Sequence, residues 1–139
     1  MLNVSETLQN PVRVLLVDDC RFLRTALTGL LGSDHRIQVV AAAENGQQAL
    51  LYVEQFRPDV VVTDLEMPVM DGAEFVSQQM GRRRIPIIVF SAVAPESPLA
   101  LRARQAGATH FLCKPRQMAD VGAQQESLKS SILAAYGLA

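Results

Sequence analysis

Apolar residues along this chain fall into short continuous runs that alternate with segments where they recur every three or four positions. Five runs have strand length: Val12–Val17, Ile37–Ala43, Val60–Thr63, 85–90 and 109–113. They are rich in β-branched residues and apolar on both faces, as strands buried on both sides of a parallel sheet are. Pro86 stands early enough in its run to be tolerated.

The intervening segments have helical spacing. Over 21–31 the apolar positions are 22, 23, 26, 27, 30 and 31, and Gly32-Ser33-Asp34 ends the pattern. Asn45 can cap a helix running to Phe56, with 49, 50, 53 and 56 on one face. Arg57-Pro58-Asp59 breaks it. A third helix follows Gly72, with Phe75, Val76 and Met80 on one side, closed by Gly81 and three arginines read as a solvated turn. Ser97 can cap a fourth helix to Ala106, rich in alanine, poor in large apolar anchors and ended by Gly107. A last helix is expected from about 118 to 136, with Val121, Leu128, Ile132 and Tyr136 on one face.

Strand and helix thus alternate five times. That pattern predicts an α/β fold: a parallel sheet with helices on both faces and right-handed crossovers, a three-layer sandwich.

At 139 residues, with 49% hydrophobic and 19% charged, the chain suits one ordinary domain with its own core. The expected organisation is a loose lead-in over 1–11, the domain over 12–136 and a tail over 137–139. A formal charge of -1 gives no electrostatic case for nucleic acid or a membrane surface. No apolar run approaches the roughly 20 residues of a spanning helix, and no signal peptide is visible, so a cytoplasmic protein is expected. Cys20 and Cys113 make neither a disulfide framework nor a zinc site and are expected to be buried or half-buried thiols.

The chemistry sits where the runs end. Four of the five finish on a reactive or ionisable group: Asp18-Asp19, Asp64, Ser91 and Lys114. In a parallel sheet these ends share one edge, the edge where open α/β sheets bind ligands. One Asp after a strand can be a nucleophile, a metal ligand or a helix cap, and one Lys is commonly a solvated charge. The joint arrangement points to a site. Three carboxylates crowded together repel unless a cation compensates. Magnesium takes oxygen ligands and needs only one or two carboxylates besides water and phosphate. Asp18, Asp19 and Asp64 therefore form a candidate hard-cation site, with Lys114 adding positive charge. A carboxylate can attack phosphorus to give an aspartyl phosphate. Lys114 and the hydroxyl of Ser91 could then contact the transferred group. Asp64 needs no histidine base, so His35 reads as a loop residue and His110 as a strand surface residue.

The ordered set Val17-Asp18-Asp19, Asp64-Leu65-Glu66-Met67-Pro68, Met70-Asp71-Gly72, Ser91-Ala92 and Lys114-Pro115 strongly resembles the receiver domain of two-component response regulators. The resemblance covers roughly 12–136. It implies a flavodoxin-like, doubly wound (βα)5 fold with strand order 2-1-3-4-5, for which a chemotaxis receiver is a standard example. It implies that Asp64 is the phosphoacceptor, that Asp19 binds Mg2+ directly and Asp18 through water, and that the Glu66 backbone carbonyl is the third protein ligand. Ser91 and Lys114 take the roles of the hydroxyl and lysine that meet the phosphoryl group, and Lys114-Pro115 that of a cis peptide. Phe111 stands at the switch aromatic, where Phe in place of Tyr excludes a hydrogen bond from the ring. Cys20 stands where many members have Ser or Asn.

The implied function is a phosphoacceptor switch without enzyme activity beyond assisting its own phosphorylation and dephosphorylation. It would be charged by a histidine kinase or phosphotransfer protein. Its output would be a downstream protein or effector domain, contacted through the face made by the fourth helix, fifth strand and last helix. The state expected is a monomer or a phosphorylation-dependent dimer. Glu66 is similar to the Asp-x-Glu-Met-Pro of chemotaxis methylesterase receivers, so the chain could be the receiver half of such an enzyme. Two other classes compete. A haloacid-dehalogenase-like phosphatase would use Asp64 and Glu66, but its nucleophile follows an early strand, and the 18–19 pair and Lys114-Pro115 would go unexplained. A flavodoxin-like flavin protein would want a Ser/Thr/Gly-rich loop after the first strand, where this chain has Asp18-Asp19-Cys20-Arg21.

Overall fold

The computed structural model describes residues 10–137. Residues 1–9 of the expected lead-in and the last two of the expected tail lie outside the described residues. Strands β1 (Val12–Val17), β2 (Ile37–Ala43), β3 (Val60–Thr63), β4 (Ile87–Ser91) and β5 (His110–Cys113) alternate with helices α1 (Arg21–Gly32), α2 (Gly46–Phe56), α3 (Gly72–Arg82), α4 (Pro98–Ala106) and α5 (Gln125–Ala135). All strand pairs are parallel, in the order β2-β1-β3-β4-β5. This is the doubly wound order expected, with β1 and β3 adjacent at the centre.

The pleat sends alternate residues to opposite faces. Val14, Leu16, Val60, Val62, Ile88 and Phe90 pack with Leu23, Leu27 and Leu31 of α1 and Leu128 and Ile132 of α5. Leu15, Val17, Val61, Ile87 and Val89 pack with Leu50 and Val53 of α2, Phe75 and Val76 of α3, and Ala100 and Ala103 of α4. Two helices therefore cover one face and three the other.

Asn45 and Ser97 cap their helices as expected, accepting from the amides of Gln48 and Ala100, and Asp71 caps α3 through the amide of Glu74. α4 buries only Ala100 and Ala103, the thin anchoring its composition foretold. No helix among the described residues is long and apolar enough to cross a membrane.

Several local expectations need correction. The last helix does not run unbroken from 118: a 3-10 segment, Met118–Gln124, precedes α5. Val121, Leu128 and Ile132 are buried, but Tyr136 lies past the last helical residue and is 46% exposed. Arg83 is half-buried while Arg82 and Arg84 are exposed, because the extended backbone at 83 (φ -161°, ψ 127°) turns successive side chains to opposite sides. Cys113 is exposed at the end of edge strand β5, although Cys20 is half-buried as expected. His35 lies in an exposed turn, and His110 is half-buried in β5.

Candidate functional site

The carboxyl ends of β1, β3 and β5 deliver the acidic residues and the lysine to one pocket. Asp18 follows Val17, and its amide donates to Ala43 O at 3.0 Å; the Asp64 amide donates to Val17 O at 2.9 Å, locking β3 beside β1. Carboxylate oxygens of Asp18, Asp19 and Asp64 all lie within 4.8 Å of one another. Asp18 and Asp64 are 4% and 6% exposed, whereas Asp19 is open to solvent. One accessible and two buried carboxylates are a donor set suited to a hard divalent cation that keeps part of its water.

Lys114 reaches into the same cluster. Its Nζ lies 2.6 Å from Asp18 Oδ2 and 2.7 Å from Asp64 Oδ2, with about a tenth of its side chain exposed. Burial alone would lower the lysine pKa, but the hydrogen bonds to Asp18 and Asp64 outweigh it and hold the pKa above its ordinary value. At Asp18 the balance goes the other way. Burial pushes the carboxyl up, and the hydrogen bonds from Lys114 and the Cys20 amide offset this only in part. The Asp64 charge adds to the upward push.

The two oxygens of Asp64 are held differently. Oδ1 accepts from the Leu65 amide at 2.7 Å and, more weakly, from the Glu66 amide at 3.4 Å, whereas Oδ2 faces Lys114. The Thr63 hydroxyl donates to Asp64 O at 2.8 Å. The following loop packs back tightly. Gly72 N–H donates to Leu65 O at 2.9 Å, and a Cβ on Gly72 would meet Asp64 O and lie 2.8 Å from Leu65 Cα. Gly46 plays a similar part, its amide bonded to Met70 O at 3.0 Å. Between them Val69 takes a positive φ of 70°, and Met70 N–H bonds Pro68 O at 2.7 Å, closing a three-residue γ-turn around it. A β-branched residue there is strained.

Ser91 ends β4, 2% exposed, and its Oγ accepts from the Val93 amide at 3.3 Å. Ser91 and Phe111 line one small cavity of about 20 Å³ with Leu65, Val89 and Ala100. Phe111 is half-buried, and the Arg104 guanidinium of α4 lies 4.3 Å from the centre of its ring. Among the described residues every peptide bond is trans, so the expected cis bond at Lys114-Pro115 is corrected. Before proline trans remains the lower-energy state by about 0.5–1 kcal/mol, and Lys114 reaches both carboxylates without the cis form. Glu66 is exposed, and its side chain is not part of the carboxylate cluster.

Residues 14–124 match the family described as the response regulator receiver domain. The chain belongs to that family. Among its relatives, the protein-glutamate methylesterase/protein-glutamine glutaminase of Symbiobacterium thermophilum is 44% identical over 113 residues, covering 81% of this chain and 31% of the relative. The one from Halalkalibacterium halodurans is 41% identical over 109 residues, covering 78% of this chain and 32% of the relative. The crystal structure of the response regulator domain of Thermotoga maritima CheB superposes with a TM-score of 0.87 at 27% identity, covering 94% of this chain and 99% of that one. The receiver domain of NarL from Mycobacterium tuberculosis gives 0.79 at 28% identity, covering 92% and 98%. The chain is thus a two-component receiver domain of the type found in chemotaxis methylesterases, and it spans about a third of the length of the curated relatives it matches.

A receiver is a signalling switch, and the expected site residues fall into two groups in this fold. Asp18, Asp19, Asp64 and Lys114 meet in one pocket, while Ser91 and Phe111 share the neighbouring cavity. Sequence reasoning passed over Arg24, whose Nη1 donates to Asp18 O at 2.7 Å. Its signal was a cation on α1 one helical turn beyond the acidic pair.

Proposed function

We propose that Asp64 accepts a phosphoryl group and that the resulting aspartyl phosphate is the signal this chain carries. The observation that supports this most directly is Lys114 Nζ, shared at 2.6 and 2.7 Å by Asp18 and Asp64 beside the open carboxylate of Asp19. A carboxylate oxygen of Asp64 attacks phosphorus. The bond to the donor's imidazole nitrogen or acyl oxygen breaks, and the donor leaves with the electron pair. Asp18, Asp19, Asp64 and the backbone carbonyl of Glu66 would hold Mg2+, which when bound supplies charge neutralisation for the phosphoryl oxygens. Lys114 shifts from the Asp64 carboxylate to a phosphoryl oxygen. The Ser91 hydroxyl leaves the Val93 amide to donate to another.

The donor is a histidine kinase or a phosphotransfer protein, and the chain acts in the cytoplasm. The chain turns over no substrate of its own and only assists the gain and loss of its phosphate. The domain extends over 12–136, and its output runs through the face made by α4, β5 and α5 to a partner or effector domain. The share of the methylesterase relatives that the chain spans, about a third, favours a methylesterase domain as that effector.

Incubation with acetyl phosphate and magnesium should add one phosphate by intact mass, labile to hydroxylamine. The same labile adduct on Asp64→Asn sinks the assignment.

A further inference from the structure

The turn that carries Asp18 and Asp19 is fixed by a residue outside the acidic cluster. α1 begins at Arg21 after Cys20, which offers no side-chain cap, and no acidic residue lies in its first turn. Two other contacts hold the turn. The Cys20 amide donates to Asp18 Oδ1 at 2.9 Å, and Arg24 Nη1 donates to Asp18 O at 2.7 Å. Helical Cα–Cβ bonds tilt toward the helix N-terminus, so a long side chain at 24 is aimed back at this turn. The far nitrogen, Nη2, lies 4.0 Å from Glu44 Oε2, just past β2, and the Arg24 side chain is 17% exposed. Arg24 also borders a cavity of about 10 Å³ that Asp18 and Asp64 line.

We propose that Arg24 is a positioning residue for the metal-binding turn. By fixing the Asp18 carbonyl it sets the direction in which Asp18 and Asp19 present their carboxylates to a divalent cation. The inference rests on the aspartyl-phosphate reading above. The Asp18 carbonyl and the Asp19 amide belong to one planar peptide, so a single hydrogen bond orients both residues. The guanidinium holds the carbonyl and leaves the carboxylates free for the cation.

The test is calorimetric titration of the full chain with magnesium chloride. Arg24→Met keeps an apolar stem and removes charge and donors. It should bind magnesium roughly tenfold more weakly, the scale of one lost charge-assisted hydrogen bond. Its phosphorylation by acetyl phosphate should slow at low magnesium and recover at saturating magnesium. Arg24→Lys keeps a cationic donor and should stay within about threefold of the wild type. Equal affinity in Arg24→Met and wild type overturns the role, and so does Arg24→Lys losing as much as Arg24→Met, which reports lost packing. If Arg24→Met loses its amide dispersion by NMR, Arg24→Leu, which also lacks charge and donors, takes its place with the same two outcomes. A wild type that binds no magnesium removes the phosphoacceptor reading and this proposal together, whereas the other failures leave that reading standing.

Discussion

The Lys114 ammonium lies 2.7 Å from Asp64 Oδ2, joining residues 50 positions apart in sequence at the carboxyl edge of the sheet. The same ammonium holds Asp18 at 2.6 Å, so one cation offsets two buried carboxylates. Lys114→Gln leaves both unpaired. Without divalent cation it should cost about 3 kcal/mol, the scale for breaking a buried ion pair. Magnesium should then stabilise the variant more than the wild type, because only the variant gains its first compensating charge. Urea unfolding with and without magnesium checks both statements. An equal magnesium increment in the two proteins goes against Lys114 as the resident counter-charge.

Asp18 gives stability a pH dependence of opposite sign to that of a typical paired carboxylate. Its folded pKa is raised above the ordinary 3.8, chiefly by burial, so the native state binds the proton more tightly than the unfolded chain. Stability from this group is greatest at low pH and falls as pH rises from about that ordinary value through the raised one. Lys114, also raised, contributes stability that is fully present below its ordinary 10.5 and is lost as pH rises through its raised folded value. In chelator, the wild type should therefore lose stability relative to Asp18→Asn as pH rises through the acidic window. A difference that is flat with pH counts against a raised Asp18.

The strands and the site were legible because they rest on patterns that tertiary structure rarely overrides. Short β-branched runs apolar on both faces and bounded by turn residues, such as 60–63, read as interior strands, and polar residues at their ends then share an edge. The start of α5 was not legible. The stretch 118–124, whose only large buried side chain among those described is Val121, satisfies helical spacing loosely and closes as 3-10 turns. Tyr136 fits the α5 stripe in register but lies beyond its last turn. Arg24 was missed because its partner is a backbone carbonyl: the cation one turn beyond the acidic pair is visible in the sequence, but that contact is not. The stacking of Arg104 on Phe111 arises only when α4 and β5 dock.

Gly72 should tolerate no side chain. A Cβ there would strike Asp64 O and stand 2.8 Å from Leu65 Cα, and backbone atoms cannot swing aside as a flexible side chain can. Gly72→Ala should lose about 2 kcal/mol through overpacking. It should also slow phosphorylation by roughly a hundredfold, since displacing the nucleophile by ~1 Å costs on that order. Thermal unfolding and acetyl-phosphate labelling measure the two effects. Normal labelling in a destabilised variant separates the packing role from the placing of Asp64.

Val69 stores strain that a different residue would release. Its positive φ of 70° is unfavourable for a β-branched side chain, and the residue is 76% exposed, so it buries little. Val69→Gly should stabilise the protein by about 1 kcal/mol, because glycine, with no Cβ, adopts positive φ without the steric cost. An unchanged or lower urea midpoint rejects the strain.

The last prediction concerns how a phosphoryl group on Asp64 would reach the output face. Ser91 and Phe111 border one cavity of about 20 Å³, too small for the ring unless Ser91 moves away. A phosphoryl oxygen drawing the Ser91 hydroxyl off the Val93 amide enlarges that space. Phe111 can then turn inward, but it must first leave the Arg104 guanidinium 4.3 Å above its ring, a contact worth about 0.5–1 kcal/mol at an exposed site. Lacking a ring hydroxyl, Phe111 is drawn inward by packing alone, so this restraint sets how far the population shifts. α4, which carries Arg104 and buries only Ala100 and Ala103, is the element freest to follow. Arg104→Ala should therefore deepen the response: with beryllofluoride and magnesium, amide shifts in α4, around Phe111 and in α5 should grow relative to the wild type. Ser91→Ala, unable to draw the hydroxyl across, should confine the shifts to the Asp64 pocket. Wild-type shifts already confined to that pocket, with α4 and Phe111 silent, sink the coupling; equal shifts in Arg104→Ala and wild type sink the restraint alone.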